Sequence, residues 1–273
     1  MTTMEPKPAH LGPAYAAQFQ DEAVAAAYPA RPPYPDEVFD ILVELMVGAA
    51  DAPRSVLDLG CGTGDIARPL ARRLAALTPP GLVDAVDQSQ AMIAHGSTQP
   101  GGDAPNLTWI FGAAEDAPVQ PPYALVTAGE SIHWMAWEQL FPRLRTVLAP
   151  TALLAVIERD ELPTPWRAPM LDLIIAYATN REFQPYDLLH EITRRGLFTL
   201  VGQRRTHPVA VTQSVVAYIE TLHSRNGFSR DRMAPALAAE LDARLRALLA
   251  PYASGDELLS FAVEGVLFWG RPA

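Results

Sequence analysis

The sequence predicts an α/β protein built on a doubly wound, mostly parallel sheet. Three observations carry this prediction: five apolar runs of strand length, helical spacing of apolar residues between them, and glycine or acidic residues where the early runs end. Alternating strands and helices favour a parallel sheet with helices on both faces. The predicted strands are residues 55–59, 82–87, 107–111, 123–128 and 152–158.

The first strand leads into a loop with glycine at every second position, Gly60, Gly62 and Gly64. Glycine is used where the backbone turns with positive φ, or where a ligand approaches closer than a Cβ would permit. A helix is predicted over residues 66–74, directly after the loop. We interpret the loop as a ligand cradle that has the carboxylate of Asp58 at its entrance.

This segment resembles motif I of the class I S-adenosylmethionine-dependent methyltransferases, in which an acid precedes Gly-x-Gly-x-Gly. Residues 62–67 also satisfy the G-x-G-x-x-[GA] dinucleotide fingerprint, so a nucleotide-dependent oxidoreductase is an alternative. A carboxylate suits the ammonium group of a methionyl moiety and would repel a pyrophosphate, so we favour the methyltransferase. We expect the lone cysteine to pack under the loop as a small hydrophobe. The implied cofactor contacts here are Asp58, Gly60, Cys61, Gly62 and Gly64.

The second strand ends in Asp87, where a doubly wound sheet presents an acid to ribose hydroxyls. The alternative for Asp87 is a helix N-cap or an exposed loop acid. The resemblance adds Gln88 and Met92 to the predicted cofactor contacts.

The turn after the third strand borders the adenine in the resembling family, which often has an aspartate where this chain has Ala113. The resemblance therefore implies contacts from Ala114 and from an acid, either Glu115 or Asp116.

The fourth strand leads into the position of the family's motif IV, beneath the transferred methyl group. The pair His133-Trp134 resembles a branch of small-molecule methyltransferases that includes the trans-aconitate type. His133 is the candidate general base for an alcohol or phenol acceptor, and the alternative is a histidine that holds the loop or lines the pocket. Glu130 is a weaker candidate base and an implied cofactor contact, and Trp134 offers a π face to the sulfonium or acceptor.

Residues 28–35 are similar to the tyrosine- and arginine-containing entry that covers the cofactor in many of these enzymes. The resemblance implies that Tyr28, Arg31 or Tyr34 faces the cofactor carboxylate or the substrate. The alternative is that each tyrosine caps the edge of the core. Arg225 lies where related chains carry a serine-rich helix end near the pocket, and it completes the predicted substrate contacts.

We predict one domain over residues 1–273, with a Rossmann-like seven-stranded sheet, an antiparallel C-terminal strand and a helical lid. Its predicted parts are N-terminal cap helices at 14–50, a cofactor-binding core at 51–160, lid helices at 161–203 and 212–250, and closing strands at 204–211 and 258–270.

The composition bears on partners and location. A formal net charge of −10 without a basic cluster disfavours a nucleic-acid substrate. One cysteine excludes an intramolecular disulfide, and the sequence shows no metal-ligand spacing. With neither a long apolar run nor a signal peptide, we expect a cytoplasmic protein without a membrane partner, as a monomer or homodimer.

The sequence therefore predicts an enzyme that uses S-adenosylmethionine to methylate a small molecule at oxygen by in-line displacement. One alternative is a carboxylate methyltransferase of the trans-aconitate type, which would use cationic groups such as Arg31 or Arg225 and need no proton abstraction by His133. A cofactor-binding protein without catalytic activity is a further alternative.

Overall fold

The computed structural model of the chain describes residues 7–49, 52–182, 184 and 186–273. The predicted boundary between cap helices and core, at residues 50–51, lies outside the described residues, and the division into cap, core and lid stays a prediction. Within the described ranges no helix combines the length and apolar character that crossing a membrane requires.

One eight-stranded sheet organises the fold, in the order β3-β2-β1-β4-β5-β8-β6, with β7 also paired to β8. Strands β1 to β5 are parallel, and β8 runs antiparallel to β5, β6 and β7. The strands are β1 Ser55–Leu59, β2 Leu82–Asp87, β3 Leu107–Phe111, β4 Tyr123–Gly129, β5 Leu148–Glu161, β6 Phe198–Arg205, β7 Val209–Ser214 and β8 Leu258–Pro272.

The predicted count of seven strands is wrong, because the single closing strand expected at 204–211 is two strands, β6 and β7. Pro208 separates them and has no N–H to donate to a sheet neighbour. The preceding N–H of His207 donates to Glu37 Oε2 at 2.8 Å instead. Both strands find a partner because β8, with 15 residues, pairs with β6 along one half and with β7 along the other.

Ten α-helices are described alongside short 3₁₀ turns. They are α1 Pro13–Ala16, α2 Glu22–Ala27, α3 Asp36–Gly48, α4 Ala67–Ala75, α5 Gln90–Ser97, α6 Trp137–Val147, α7 Arg167–Tyr177, α8 Leu188–Arg194, α9 Val215–His223 and α10 Pro235–Leu249.

Apolar helix faces cover both sides of the sheet. Helices α3 and α4 bury Leu42 and Leu70 on one side, and α6 buries Trp137 and Phe141 on the other. A third cluster joins α7, α9 and α10 to β7 and β8, with Leu241 at its centre. The helices predicted as a lid therefore have an apolar core of their own, which holds the end of α9 above the sheet.

The strand order reverses at β1, which lies between β2 and β4. In open α/β sheets a ligand crevice forms outside the carboxyl ends of the strands at this point. Helix α2, from the N-terminal segment, packs against both α5 and α9. The crevice is therefore bounded below by strand ends and above by α2 and α9.

Candidate active site

The glycine loop after β1 has the backbone geometry of a cradle. Gly60, Gly62 and Gly64 have φ values of 64°, 54° and 82°, in the left-handed region that favours glycine. A Cβ on Gly60 would lie 2.6 Å from the Cβ of Ser131, and one on Gly62 would lie 3.4 Å from the Tyr28 ring. The loop is thus enclosed between the end of β4 and the N-terminal segment.

Asp58 presents an unsatisfied acceptor beneath this loop. Its carboxylate is buried, and Oδ1 accepts a hydrogen bond of 2.8 Å from Thr127 Oγ1. Oδ2 has no hydrogen-bond partner in the described part of the chain. Burial raises the pKa of Asp58 to about 7, although the hydroxyl of Thr127 and the nearby N–H of Ala67 act to lower it. A cation beside Oδ2 would satisfy this oxygen and favour the ionised carboxylate.

Asp87 holds the cradle from the neighbouring strand. Its Oδ2 accepts from the N–H of Gly62 at 2.8 Å, and its Oδ1 accepts from the N–H of Ser89 at 2.7 Å. The N-cap of α5 is Ser89, whose Oγ accepts from the N–H of Met92, so the N-cap alternative for Asp87 does not hold. Asp87 also lines the adjoining cavity, and its predicted contact with ribose hydroxyls stays a prediction.

The first cavity lies over the loop and gathers most of the predicted cofactor contacts. Those lining it are Gly60, Gly62, Asp87, Gln88, Met92, Ala114, Glu115 and Glu130. Tyr28 and Trp134, predicted as substrate contacts, line it as well. Sequence reasoning missed its other lining residues, which are Ala16, Phe19, Val86, Gly112, Ser131 and Met135. Ala16 and Phe19 precede every recognised motif, and only their place in the fold brings them here.

Three of the predicted cofactor contacts lie outside that cavity. Asp58 and Cys61 line a small adjoining recess together with Tyr34. Gly64 lines neither space, because its Cα faces the Trp109 indole, where an added Cβ would lie 2.5 Å from the ring. The lone cysteine is buried under the loop, as expected.

Of the two acids predicted near the adenine, Glu115 lines the cavity and Asp116 is exposed. Glu115 Oε1 accepts a hydrogen bond from the N–H of Ala136. This contact ties the turn after β3 to the loop that carries His133.

Glu130 binds two arginines at the end of β4. Its Oε2 lies 2.9 Å from Arg159 Nη2 and 3.3 Å from Arg31 Nη1. Burial acts to raise the pKa of Glu130, but Arg159 and Arg31 outweigh it and hold the pKa below its ordinary value. Sequence reasoning missed Arg159, although a polar residue at the carboxyl end of a central apolar strand was a usable signal.

Arg31 clamps the N-terminal segment to the lid. Its Nε and Nη2 donate to Oγ and the carbonyl oxygen of Ser224, both at 2.8 Å, and its guanidinium lies 4.1 Å from the Tyr28 ring centroid. The Arg159 guanidinium lies 4.5 Å from the centroid of the Tyr34 ring. The nitrogens of Arg31 are therefore engaged by protein groups, which leaves it less suited to bind substrate than the sequence suggested.

A second cavity, of about 490 Å³, adjoins the first and shares Phe19, Glu130, Ser131 and Trp134 with it. His133 lines this second cavity, with its ring 4.7 Å from that of Trp134. Burial lowers the pKa of His133 to about 4, so the imidazole is neutral at pH 7. Its backbone carbonyl accepts from Lys7 Nζ at 2.8 Å, which anchors the N-terminal segment to this loop.

Arg225 lines the same cavity from the end of α9. Its side chain is open to the cavity, and burial together with the nearby Arg31 lowers its pKa, although the charges of Glu130 and Glu161 act to raise it. No hydrogen bond or ion pair involves its guanidinium within the described ranges. An anion beside Arg225 would relieve this unfavourable charge. Among the residues that the structure describes, no cluster of histidine, cysteine and acidic residues could hold a metal ion.

Comparison with known proteins shows which families and structures this chain resembles. Residues 56–151, roughly a third of the chain, match the family described as a methyltransferase domain. The trans-aconitate 2-methyltransferase of Yersinia pestis (strain Pestoides F) is 32% identical over 127 residues, 46% of this chain and 45% of that protein. The enzyme of that name from Acidovorax sp. (strain JS42) is 34% identical over 134 residues, 48% of each chain. The chain thus spans about half the length of the curated relatives it matches.

A solved structure, a putative type II methyltransferase from Anaeromyxobacter dehalogenans, has a TM-score of 0.56 at 23% identity. The superposition covers 89% of this chain and 99% of the Anaeromyxobacter chain. The likeness shows that the two proteins share a fold. The fold, the glycine loop and the family match support a class I S-adenosylmethionine-dependent methyltransferase domain. The match over residues 56–151 agrees with the prediction from motif I and favours the methyltransferase interpretation over the dinucleotide alternative.

The residues present fit S-adenosylmethionine, the cofactor of this class. The unsatisfied Oδ2 of Asp58 suits the ammonium group of the methionyl moiety. The backbone of Gly60 and Gly62 permits close approach, and Asp87 with Gln88 lines the space beside them. Ala114 and Glu115 border the same space on the side of β3.

Proposed function

We propose that this chain transfers a methyl group from S-adenosylmethionine to a carboxylate oxygen of a small organic acid. The observation that carries this proposal is the unpartnered Arg225 guanidinium in the cavity beside the cofactor site. When bound, S-adenosylmethionine supplies an electrophilic methyl group on a sulfonium. Guanidinium groups bind carboxylates through paired, charge-assisted hydrogen bonds, which suits Arg225 to orient such an acceptor.

A carboxylate acceptor also agrees with the state of His133. Carboxylic acids are ionised near neutral pH, so their oxygen needs no base to become a nucleophile. A histidine with a pKa of about 4 is a weak proton acceptor for an alcohol, because general bases work best when their pKa lies near the operating pH. In this proposal His133 packs against Trp134 and shapes the cavity.

The chain contributes chiefly orientation. The Glu130 carboxylate, held by Arg31 and Arg159, stands between the two cavities and links the ends of β4 and β5 to the N-terminal segment. Holding the acceptor oxygen in line with the methyl group and the sulfur lowers the activation barrier, by roughly 7–11 kcal/mol in well-oriented reactions. The name of the relatives, trans-aconitate 2-methyltransferase, supports an acid as acceptor.

A second candidate is methylation of a hydroxyl group with His133 as the base, and its support is the position of His133 in the same cavity. A small-molecule acceptor without nucleic acid or membrane, a cytoplasmic location and a monomeric or homodimeric state remain predictions.

Binding and product chemistry test the proposal together. Calorimetric titration with S-adenosylhomocysteine is expected to show binding, with NADH as the negative control. A panel of carboxylic acids and alcohols is then incubated with S-adenosylmethionine and analysed by mass spectrometry. Carboxylate products are methyl esters, which mild base hydrolyses, whereas methyl ethers resist it. Methylation of alcohols alone would contradict the proposal.

Replacing Arg225 with glutamine is expected to lower kcat/KM for the acid by about tenfold or more, because a charge-assisted hydrogen bond to the acceptor is lost. Affinity for S-adenosylhomocysteine is expected to stay unchanged. The matched control is Arg246→Gln, since Arg246 is exposed on α10 and lines neither cavity. Equal kinetics of the Arg225 variant and wild type on the acid would count against this role.

A further inference from the structure

Glu158 is a second unpartnered charge in the acceptor cavity. It lies near the end of β5 and lines this space together with Val156 and with the three residues that follow it, residues 159–161. The side chain of Glu158 makes no hydrogen bond or ion pair in the part of the chain that the structure describes.

The other acids of this wall do have partners. Asp160 Oδ2 lies 3.2 Å from Arg205 Nη1, and Glu161 Oε1 accepts from Tyr218 Oη at 2.7 Å. Glu130 pairs with two arginines, as described above. Glu158 alone among these acids has neither a hydrogen bond nor an ion pair within the described residues; it lines the acceptor cavity and also a neighbouring one that it shares with Asp187 and Arg205.

The surroundings of Glu158 disfavour the ionised form of its carboxyl group. Glu158 is half-buried, and burial raises its pKa, with added repulsion from Asp160, Glu130 and Asp187 that outweighs the opposing charge of Arg205. A partly buried carboxylate without a hydrogen bond carries a desolvation cost. No ion pair joins it to Arg225, although both line the same cavity. The cavity therefore presents one unpaired cation and one unpaired anion.

We propose that Glu158 accepts a hydrogen bond from a hydroxyl or ammonium group of the acceptor while Arg225 binds its carboxylate. This inference rests on the proposed function and names the acceptor class as a hydroxy acid or amino acid. An acid with a further carboxylate in place of that donor would meet like charge at Glu158, so this chain is expected to differ from the relatives named for trans-aconitate, which is itself a polycarboxylate.

The test compares matched acceptors. Straight-chain monocarboxylic acids are assayed beside their hydroxy and amino derivatives and the dicarboxylic acid of equal length, using wild type, Glu158→Gln and Glu158→Leu. Wild type is expected to prefer a hydroxy or amino acid over its unsubstituted parent by about tenfold or more in kcat/KM. In both variants this ratio is expected to fall to about twofold or less, while the dicarboxylic acid gains relative to the monoacid. Glu44→Gln, exposed on α3 and outside the cavity, is the control.

The outcomes separate the two proposals. Preference for an amino derivative identifies ammonium as the bound donor, and preference for a hydroxy derivative identifies hydroxyl. Turnover of acids with the same substituent ratio in wild type and both variants would overturn the role of Glu158 and leave the proposed function standing. Methylation of alcohols and of no acid would overturn the proposed function and this inference with it. Thermal unfolding of each variant identifies loss through misfolding, and Glu158→Gln, which keeps the shape of the side chain, then decides.

Discussion

Replacing Asp58 with asparagine is expected to stabilise the ligand-free protein at pH 8 and to weaken its binding of S-adenosylhomocysteine. The folded-state pKa of about 7 lies above the ordinary value of 3.8, so ionising this buried carboxyl opposes folding. The cost is absent below the unfolded pKa, grows as pH rises and is complete above the folded pKa. Asparagine removes up to about 4 kcal/mol of this cost at pH 8 and about half of it at pH 5.5.

Binding is expected to move in the opposite direction, because asparagine offers no charge to the ammonium group of the cofactor. A loss of about tenfold or more in affinity corresponds to roughly 1.4 kcal/mol. Denaturant unfolding at the two pH values and calorimetric titration measure both effects. Asp103→Asn, an exposed acid outside the cavities, is the control. Equal free energies of unfolding for the Asp58 variant and wild type at pH 8 would show that burying the ionised carboxylate does not destabilise the fold.

Replacing Gly60 with alanine is expected to abolish measurable cofactor binding, by about 100-fold or more, and to destabilise the fold by roughly 2–4 kcal/mol. Its φ of 64° is unfavourable for alanine, and the new Cβ would lie 2.6 Å from the Cβ of Ser131. Ser131 cannot easily move, because its Oγ donates a 2.7 Å hydrogen bond to the carbonyl of Leu59. The loop must therefore shift, and the cradle with it.

The matched control is Gly48→Ala at the end of α3, where an added Cβ has no atom within 4 Å. This change is expected to leave binding unaltered and to be neutral or stabilising by up to about 1 kcal/mol. Thermal unfolding and titration with S-adenosylhomocysteine measure both variants. Wild-type affinity in Gly60→Ala would mean that the loop backbone does not form the cradle.

The strands of the sheet show which parts of the fold can be predicted from short stretches of sequence. The bounds of β1, β2 and β3 agree with prediction, because each strand is a short apolar run ended by glycine, acid or turn residues. The closing strands were predicted less well. Whether the segment around Pro208 forms one strand or two depends on β8, which lies far along the chain and is long enough to pair with both.

The site divides in the same way. The glycine loop and the acids after β1 and β2 are short segments whose chemistry is legible without a partner. The arginine clamp is different, since Arg31, Glu130 and Arg159 are separated by long stretches of chain, and Ser224 adds a fourth segment. Nothing local distinguishes a paired arginine such as Arg31 from an unpaired one such as Arg225.

The sequence by itself determined the alternation of strands and helices, the cradle and the class of cofactor, because these depend on backbone freedom and apolar periodicity within short windows. Only the tertiary structure decided which charges are neutralised and which remain open to the acceptor cavity. Ion pairing depends on distances of a few ångströms between side chains from different elements. Folding alone sets those distances, and with them the chemistry that Arg225 and Glu158 present.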